Sequence, residues 1–116
     1  MPEFACQARI VLTTTASPGE AEALARTLVD ERLAACATLI PAAISIYRWQ
    51  ENIESSTETL LLIKTEAGKL PELEARLHRL HSYQTPEFLV LNVESGSRAY
   101  LDWLKAALEP PAGPGN

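Results

Sequence analysis

The stretch His81-Ser82-Tyr83-Gln84-Thr85-Pro86-Glu87 gathers an imidazole, a phenol and a carboxylate into seven positions, with a proline to hold the backbone. Three roles suit such a set. The ring can bind a metal, the acid and phenol can exchange protons, or the segment can simply close one element and open the next. His78 stands three residues before His81, so on a helix the two imidazoles would share a face and could chelate copper or zinc. In structural terms, a histidine ending a helix donates to unpaired carbonyls and suits the negative end of the dipole. Elsewhere Trp49, Glu58 and Lys64 offer an aromatic, an acid and a base. Together with Tyr83 and Glu87 they would line a ligand-binding cleft if their elements meet across a subunit boundary. The alternative is an ion pair from Lys64 to Glu87 or Glu58, with the aromatics packed at an interface, where Tyr and Trp are enriched.

Catalytic signatures are missing. The chain has no Gly-rich phosphate loop, no G-x-S-x-G elbow and no Cys close to a His, so an enzyme is not expected. Thr13-Thr14-Thr15 carries hydroxyls, but such a run at a strand end is ordinary strand and turn chemistry. Cys6 and Cys36 lie too far apart for a C-x-x-C pair and are expected as free thiols, buried or half-buried. With His78 and His81 they lack the paired spacing of a structural zinc site.

Composition narrows the class further. With 116 residues, 47% of them apolar, the chain suits one domain that hides roughly two-thirds of its surface. A net charge of -5 with scattered Lys and Arg leaves no basic stripe for nucleic acid. No apolar run approaches the roughly 20 residues that cross a bilayer, so no membrane is expected. Met1-Pro2-Glu3-Phe4 does not resemble a leader, which makes the cytoplasm the expected compartment.

The elements that must position these residues follow from periodicity. Residues 8–14 read as a buried strand. Ser17-Pro18-Gly19-Glu20 is a helix start with a capping box, and the apolar stripe Ala21, Leu24, Ala25, Leu28, Val29 carries that helix to about Ala35. Residues 36–49 and 53–65 form one long hairpin about a Gln50-Glu51-Asn52 turn, with a bulge or edge at Pro41. A second helix after Gly68 places Leu70, Leu73, Leu77 and Leu80 on one stripe, residues 88–93 make a fourth strand, and Gly96-Ser97 opens a last helix. The order β-α-β-β-α-β is a split βαβ, or ferredoxin-like, α+β sandwich with an extra C-terminal helix. It occupies residues 1–109 as a single domain, with a mobile tail at 110–116. Ile10 to Leu12, Leu60 to Ile63 and Phe88 to Val93 are apolar on both faces, so the sheet needs a second cover and an oligomer is expected.

Five segments, in order, resemble the CutA family of divalent-cation tolerance proteins. They are Glu31-Arg32-Leu33-Ala34-Ala35-Cys36, Tyr47-Arg48-Trp49, Glu58 through Lys64-Thr65, residues 81–87, and Tyr100-Leu101-x-Trp103-Leu104. The resemblance covers nearly the whole chain. It implies a homotrimer with strands paired between subunits and a cytoplasmic link to copper and other divalent metals, with no obligatory cofactor. It extends to the trimeric PII signal proteins, which share the architecture and bind small effectors between subunits. Ser82 and Asn92 stand where the family usually has proline. Leu80 and the threonines at 13–15 stand where some members carry a second His and a Cys. A site built from all three groups is thereby reduced to His81, which implies weak metal binding.

Overall fold

The protein, described here from a computed structural model over residues 6–111, contains four strands and three α-helices. In order these are β1 (Ala8–Thr15), α1 (Pro18–Asp30), β2 (Cys36–Trp49), β3 (Asn52–Glu66), a 3-10 turn (Ala67–Lys69), α2 (Leu70–Leu80), β4 (Leu89–Asn92) and α3 (Arg98–Leu108). The strands lie in the order β2-β3-β1-β4, every neighbouring pair antiparallel, as the split βαβ arrangement requires. The N-terminal leader reading, and the expected tail from residue 112 onward, lie outside the described residues.

The start of α1 forms as its sequence dictates: Ser17 accepts the Glu20 backbone N–H at 3.2 Å and Pro18 takes the first turn. Its end corrects the expectation of a helix reaching Ala35. Arg32 adopts the left-handed region (φ 59°), and its N–H and that of Leu33 return to the carbonyls of Val29 and Leu28. That closure is a Schellman motif, usually signalled by glycine, and the arginine in its place hid the stop. The released Leu33, Ala34 and Ala35 become a buried connector, which Thr65 Oγ1 holds by donating to the Leu33 carbonyl at 2.7 Å.

The bulge expected at Pro41 is present. Pairing jumps from Ile40↔Leu60 to Ala43↔Glu58, with Ala42 at φ 62°. One extra residue in β2 exchanges the faces of everything beyond it. Ser45 and Tyr47 therefore share a face with Glu58, and Ile44 and Ile46 turn to the opposite one. The hairpin closes in two residues, Gln50 and Glu51, both at positive φ, which matches the twist of the flanking strands. Because the hairpin outruns the helices, the radius of gyration is 16.0 Å, against about 13 Å for a compact chain of this length.

The core lies between the sheet and the α1/α2 layer, where Val11, Leu61 and Ile63 meet Leu24, Leu28, Leu73 and Leu77. On the second face α3 covers one end only, packing Leu104 and Leu108 on Ala8 and Ala35. β4 is shorter than expected: Phe88 packs against the helix-side core before the ladder begins.

Candidate functional site

His81 follows the last turn of α2, and its ring is fully buried. Nε2 lies 2.7 Å from the Thr14 carbonyl, which can only accept, so Nε2 carries the proton. Nδ1 lies 3.0 Å from the backbone nitrogen of Tyr83, which can only donate, so Nδ1 supplies the lone pair. The ring is thus a neutral imidazole with both nitrogens engaged. This corrects the expected capping role: the ring serves the end of β1, 67 residues back, and not the terminal carbonyls of α2. Only the His81 backbone N–H closes the helix, on Leu77.

Around this ring four elements converge. From α1, Glu20 accepts both the backbone N–H and the hydroxyl of Ser82, each at 3.0 Å, and its carboxylate stands 3.7 Å from His81 Nδ1. A proline at position 82 could make neither bond. Tyr83 lies against the His81 ring, 4.8 Å between centroids, and its hydroxyl donates to Glu58 of β3 at 2.8 Å. Ser45 of β2 and Thr14 of β1 set two further hydroxyls beside the same carboxylate. Burial raises the Glu58 carboxyl, but these three hydroxyls outweigh it and leave it below the usual carboxylate value. Burial also raises Glu20, and again the Ser82 bonds and the Ala16 backbone outweigh it and leave it lowered. Burial, the bond to Glu58 and the negative charge around it push the Tyr83 phenol up to about 12. Glu58 therefore stays ionised and Tyr83 stays protonated at neutral pH. The junction is a hydrogen-bond network that fixes the 81–83 loop to the hairpin base.

Of the five expected cleft residues, one subunit brings together two, Tyr83 and Glu58. Lys64 sits six positions along β3 from Glu58, about 20 Å at strand rise, and its Nζ reaches Thr38 Oγ1 at 3.5 Å and Cys36 Sγ at 4.0 Å. The Lys64–Glu58 ion pair is therefore not formed. Glu87 is exposed just before β4, with β1 lying between that strand and β3. Trp49 stands at the hairpin tip, 61% exposed. The expected convergence of Lys64, Glu87 and Trp49 does not occur within the subunit.

The two histidines do not act as a pair. His78 is exposed, and its Nδ1 lies 3.0 Å from the Glu74 carbonyl one turn back, while the His81 ring is enclosed. Among the described residues no group of three His, Cys, Asp or Glu side chains is placed to hold a metal ion. The donor set of residues 78–81 does not fit the two-imidazole chelate that the spacing suggested. Glu20, Thr14 and Ser45 belong to the junction without a local signal, because their partners lie far off in sequence; Ser82 carried a signal only as an unusual residue beside His81.

A separate groove of about 740 Å³ runs between α1 and the free edge of β2, lined by Ala25, Val29, Ala37 and Leu39 with Glu22 and Arg26 at its rim. Thr27 and Asp30 complete a lining that is half aliphatic and half polar.

Against known proteins, the model of the CutA1 divalent ion tolerance protein family matches residues 9–107. The chain is 45% identical over 96 residues to the divalent-cation tolerance protein CutA of Thermus thermophilus, covering 83% of this chain and 93% of that one. It is 42% identical over 103 residues to the CutA of Pectobacterium atrosepticum, covering 89% and 94%. The crystal structure of CutA from Xylella fastidiosa superposes with a TM-score of 0.86 at 40% identity, covering 89% of this chain and 99% of that one. With a family match across nearly all its elements and close relatives along most of its length, the chain belongs to the CutA1 divalent ion tolerance protein family.

Proposed function

We propose that this protein is a cytoplasmic, non-catalytic homotrimer that serves divalent-cation tolerance, meeting copper and similar ions weakly and without an obligatory cofactor. The observation that carries the assembly is the uncovered second face of the sheet. Leu89 and Leu91 are 56% and 47% exposed there, beside the half-buried Ile10, Leu12, Leu60 and Leu62. Both outer strands, β2 and β4, also present unpaired edges. A contiguous apolar face flanked by open edges is what strand pairing between copies would cover. Three copies is the number that the likeness to this family implies. In such an assembly Lys64, Glu87 and Trp49 would approach the Tyr83–Glu58 pair from neighbouring subunits. The weak-metal reading is supported by the enclosed His81 ring and by the dispersal of the donors. The non-catalytic reading is supported by the engagement of the Glu58 carboxylate with surrounding hydroxyls, which holds its pKa low and makes it a weak base.

Two measurements test this reading. Light scattering at low concentration should give a trimer mass, because obligate interfaces bury about 2,000 Å² or more and resist dilution; a monomer mass overturns it. Calorimetric titration with copper, zinc and a nucleotide panel should give weak heat for metal. Heat for a nucleotide with none for metal would replace the reading by a PII-like small-molecule sensor.

A further inference from the structure

A cavity of about 500 Å³ opens between the start of β1, the end of β3, the 94–96 loop and α3. It is remote from the His81 junction, since Ala8 and Thr14 stand at opposite ends of β1, about 20 Å apart at strand rise. Its volume falls in the range of small-molecule sites, about 300–1,000 Å³. The floor is apolar: Ala8 and Leu104 are buried, with Cys6 and Leu101 half-buried beside them. The walls are charged, and the signs are divided by element. The sheet side supplies carboxylates alone, Glu66 from the end of β3 and Glu94 from the loop after β4. Both cations, Arg98 and Lys105, come from α3, with Asp102 between them.

The shape is held by other groups. Arg9 donates to the Cys6 and Ala8 carbonyls at 2.9 and 2.8 Å, and the Gln7 carbonyl accepts the Ala67 N–H at 2.8 Å. Ser97 caps α3, and a Cβ on Gly96 would stand 3.3 Å from the Leu101 side chain, so the loop already lies close on the floor. The charged side chains are left over. Arg98 with Asp102, and Asp102 with Lys105, have helix spacings that favour ion pairs, and Glu22 with Arg26 on α1 closes such a pair at 2.8 Å. Among the described residues none of the charges lining this cavity is within ion-pair distance of another.

We infer that this cavity is a binding site for a small zwitterion with an apolar body, a free α-amino acid with an aliphatic side chain. The ammonium of the ligand meets Glu66 and Glu94, its carboxylate meets Arg98 and Lys105, and its side chain lies on Leu101 and Leu104. Charge-assisted hydrogen bonds form at both ends, and the floor rewards the apolar part by the area it hides. Three carboxylates against two cations disfavour a phosphate-bearing ligand. The inference needs neither copper nor the trimer.

The test is titration of the full chain with L-leucine, followed by calorimetry and by amide chemical shifts. One leucine should bind per chain, more weakly as salt is added, with shifts gathered at residues 94–105 and at Glu66. N-acetyl-leucine lacks the ammonium and leucinamide lacks the carboxylate, and each should bind weaker by about tenfold or more. Glu66→Gln with Glu94→Gln should remove the advantage of leucine over N-acetyl-leucine. Arg98→Gln with Lys105→Gln should remove its advantage over leucinamide. The blocked probes need only the wild type, so they decide even where a variant misfolds. No saturable binding of leucine, equal binding of the blocked forms, or shifts centred elsewhere overturns the inference.

Discussion

The two faces of the sheet are built from the same kinds of residue but end in different states. Val11, Leu61 and Ile63 are sealed by α1 and α2, while their sequence neighbours Leu12, Leu60 and Leu62 remain half-buried on the other side. β-Strand geometry forces the split, since successive side chains point to opposite faces. A strand apolar at every position therefore carries twice the apolar surface that one helix layer can cover. The second face is closed at one end by α3, and beyond its other end the polar junction of His81, Tyr83 and Glu58 ties the loop to the hairpin base. The middle remains uncovered within the subunit. One face thus makes the subunit, and the other is the surface on which the proposed assembly rests.

The largest effect should separate those two tasks. Leu61→Asp puts an unpaired carboxylate under the helices, at a cost of several kcal/mol that rivals the margin of a whole domain. Circular dichroism should show the subunit unfolded. Leu62→Glu attacks the other face, and light scattering should show loss of the assembled mass. An assembled Leu62→Glu with unchanged melting would mean that the second face is not an interface.

Next comes the junction. His81→Ala removes a buried ring and leaves the Thr14 carbonyl and the Tyr83 N–H without their partner, a loss of about 3 kcal/mol in denaturant unfolding. His78→Ala, on the surface, should stay within about 0.5 kcal/mol of the wild type. Equal losses for the two would show that the His81 ring is not buried as described.

Tyr83→Phe is a smaller change, about 1 kcal/mol for a half-buried hydrogen bond to a charged group, and it should be pH-dependent. The Tyr83 phenol is raised from 10.0 to about 12 in the folded state, so its contribution is complete below pH 10 and lost as pH climbs toward 12. Glu58 is shifted the opposite way, so its contribution is complete above the ordinary value of 4.5 and lost as pH falls below it. Stability curves of the wild type and Tyr83→Phe should converge above pH 10. A constant gap across the alkaline range would remove Tyr83 from the junction.

The smallest effect has the opposite sign. Thr13 is fully buried on the helix face, and its hydroxyl has no partner. Thr13→Val keeps the shape and removes that polar atom, so thermal melting should rise by the equivalent of up to about 1 kcal/mol. A fall in stability would show that the hydroxyl does find a partner.

Much of the architecture was readable along the chain because its signals are local. Ser17 and Pro18 start a helix by their own chemistry, Pro41 interrupts a ladder because it lacks an N–H, and the stripe Leu70, Leu73, Leu77 states which side of α2 goes inward. The stop at Arg32 was not readable, because a left-handed arginine carries none of the mark that a glycine would.

The site divides along the same line. Residue types around His81 marked a place where an element ends and polar groups gather, and that much is a property of the sequence. Which atom meets which was decided only by tertiary structure. The bulge in β2 turned Ser45 toward Glu58, Glu20 reached Ser82 across 62 positions, and the Thr14 carbonyl accepted the His81 Nε2–H across 67. Hydrogen bonds form between groups near in space, and a chain that pairs β1 with β3 and β4 makes distant residues neighbours in ways that no local spacing encodes.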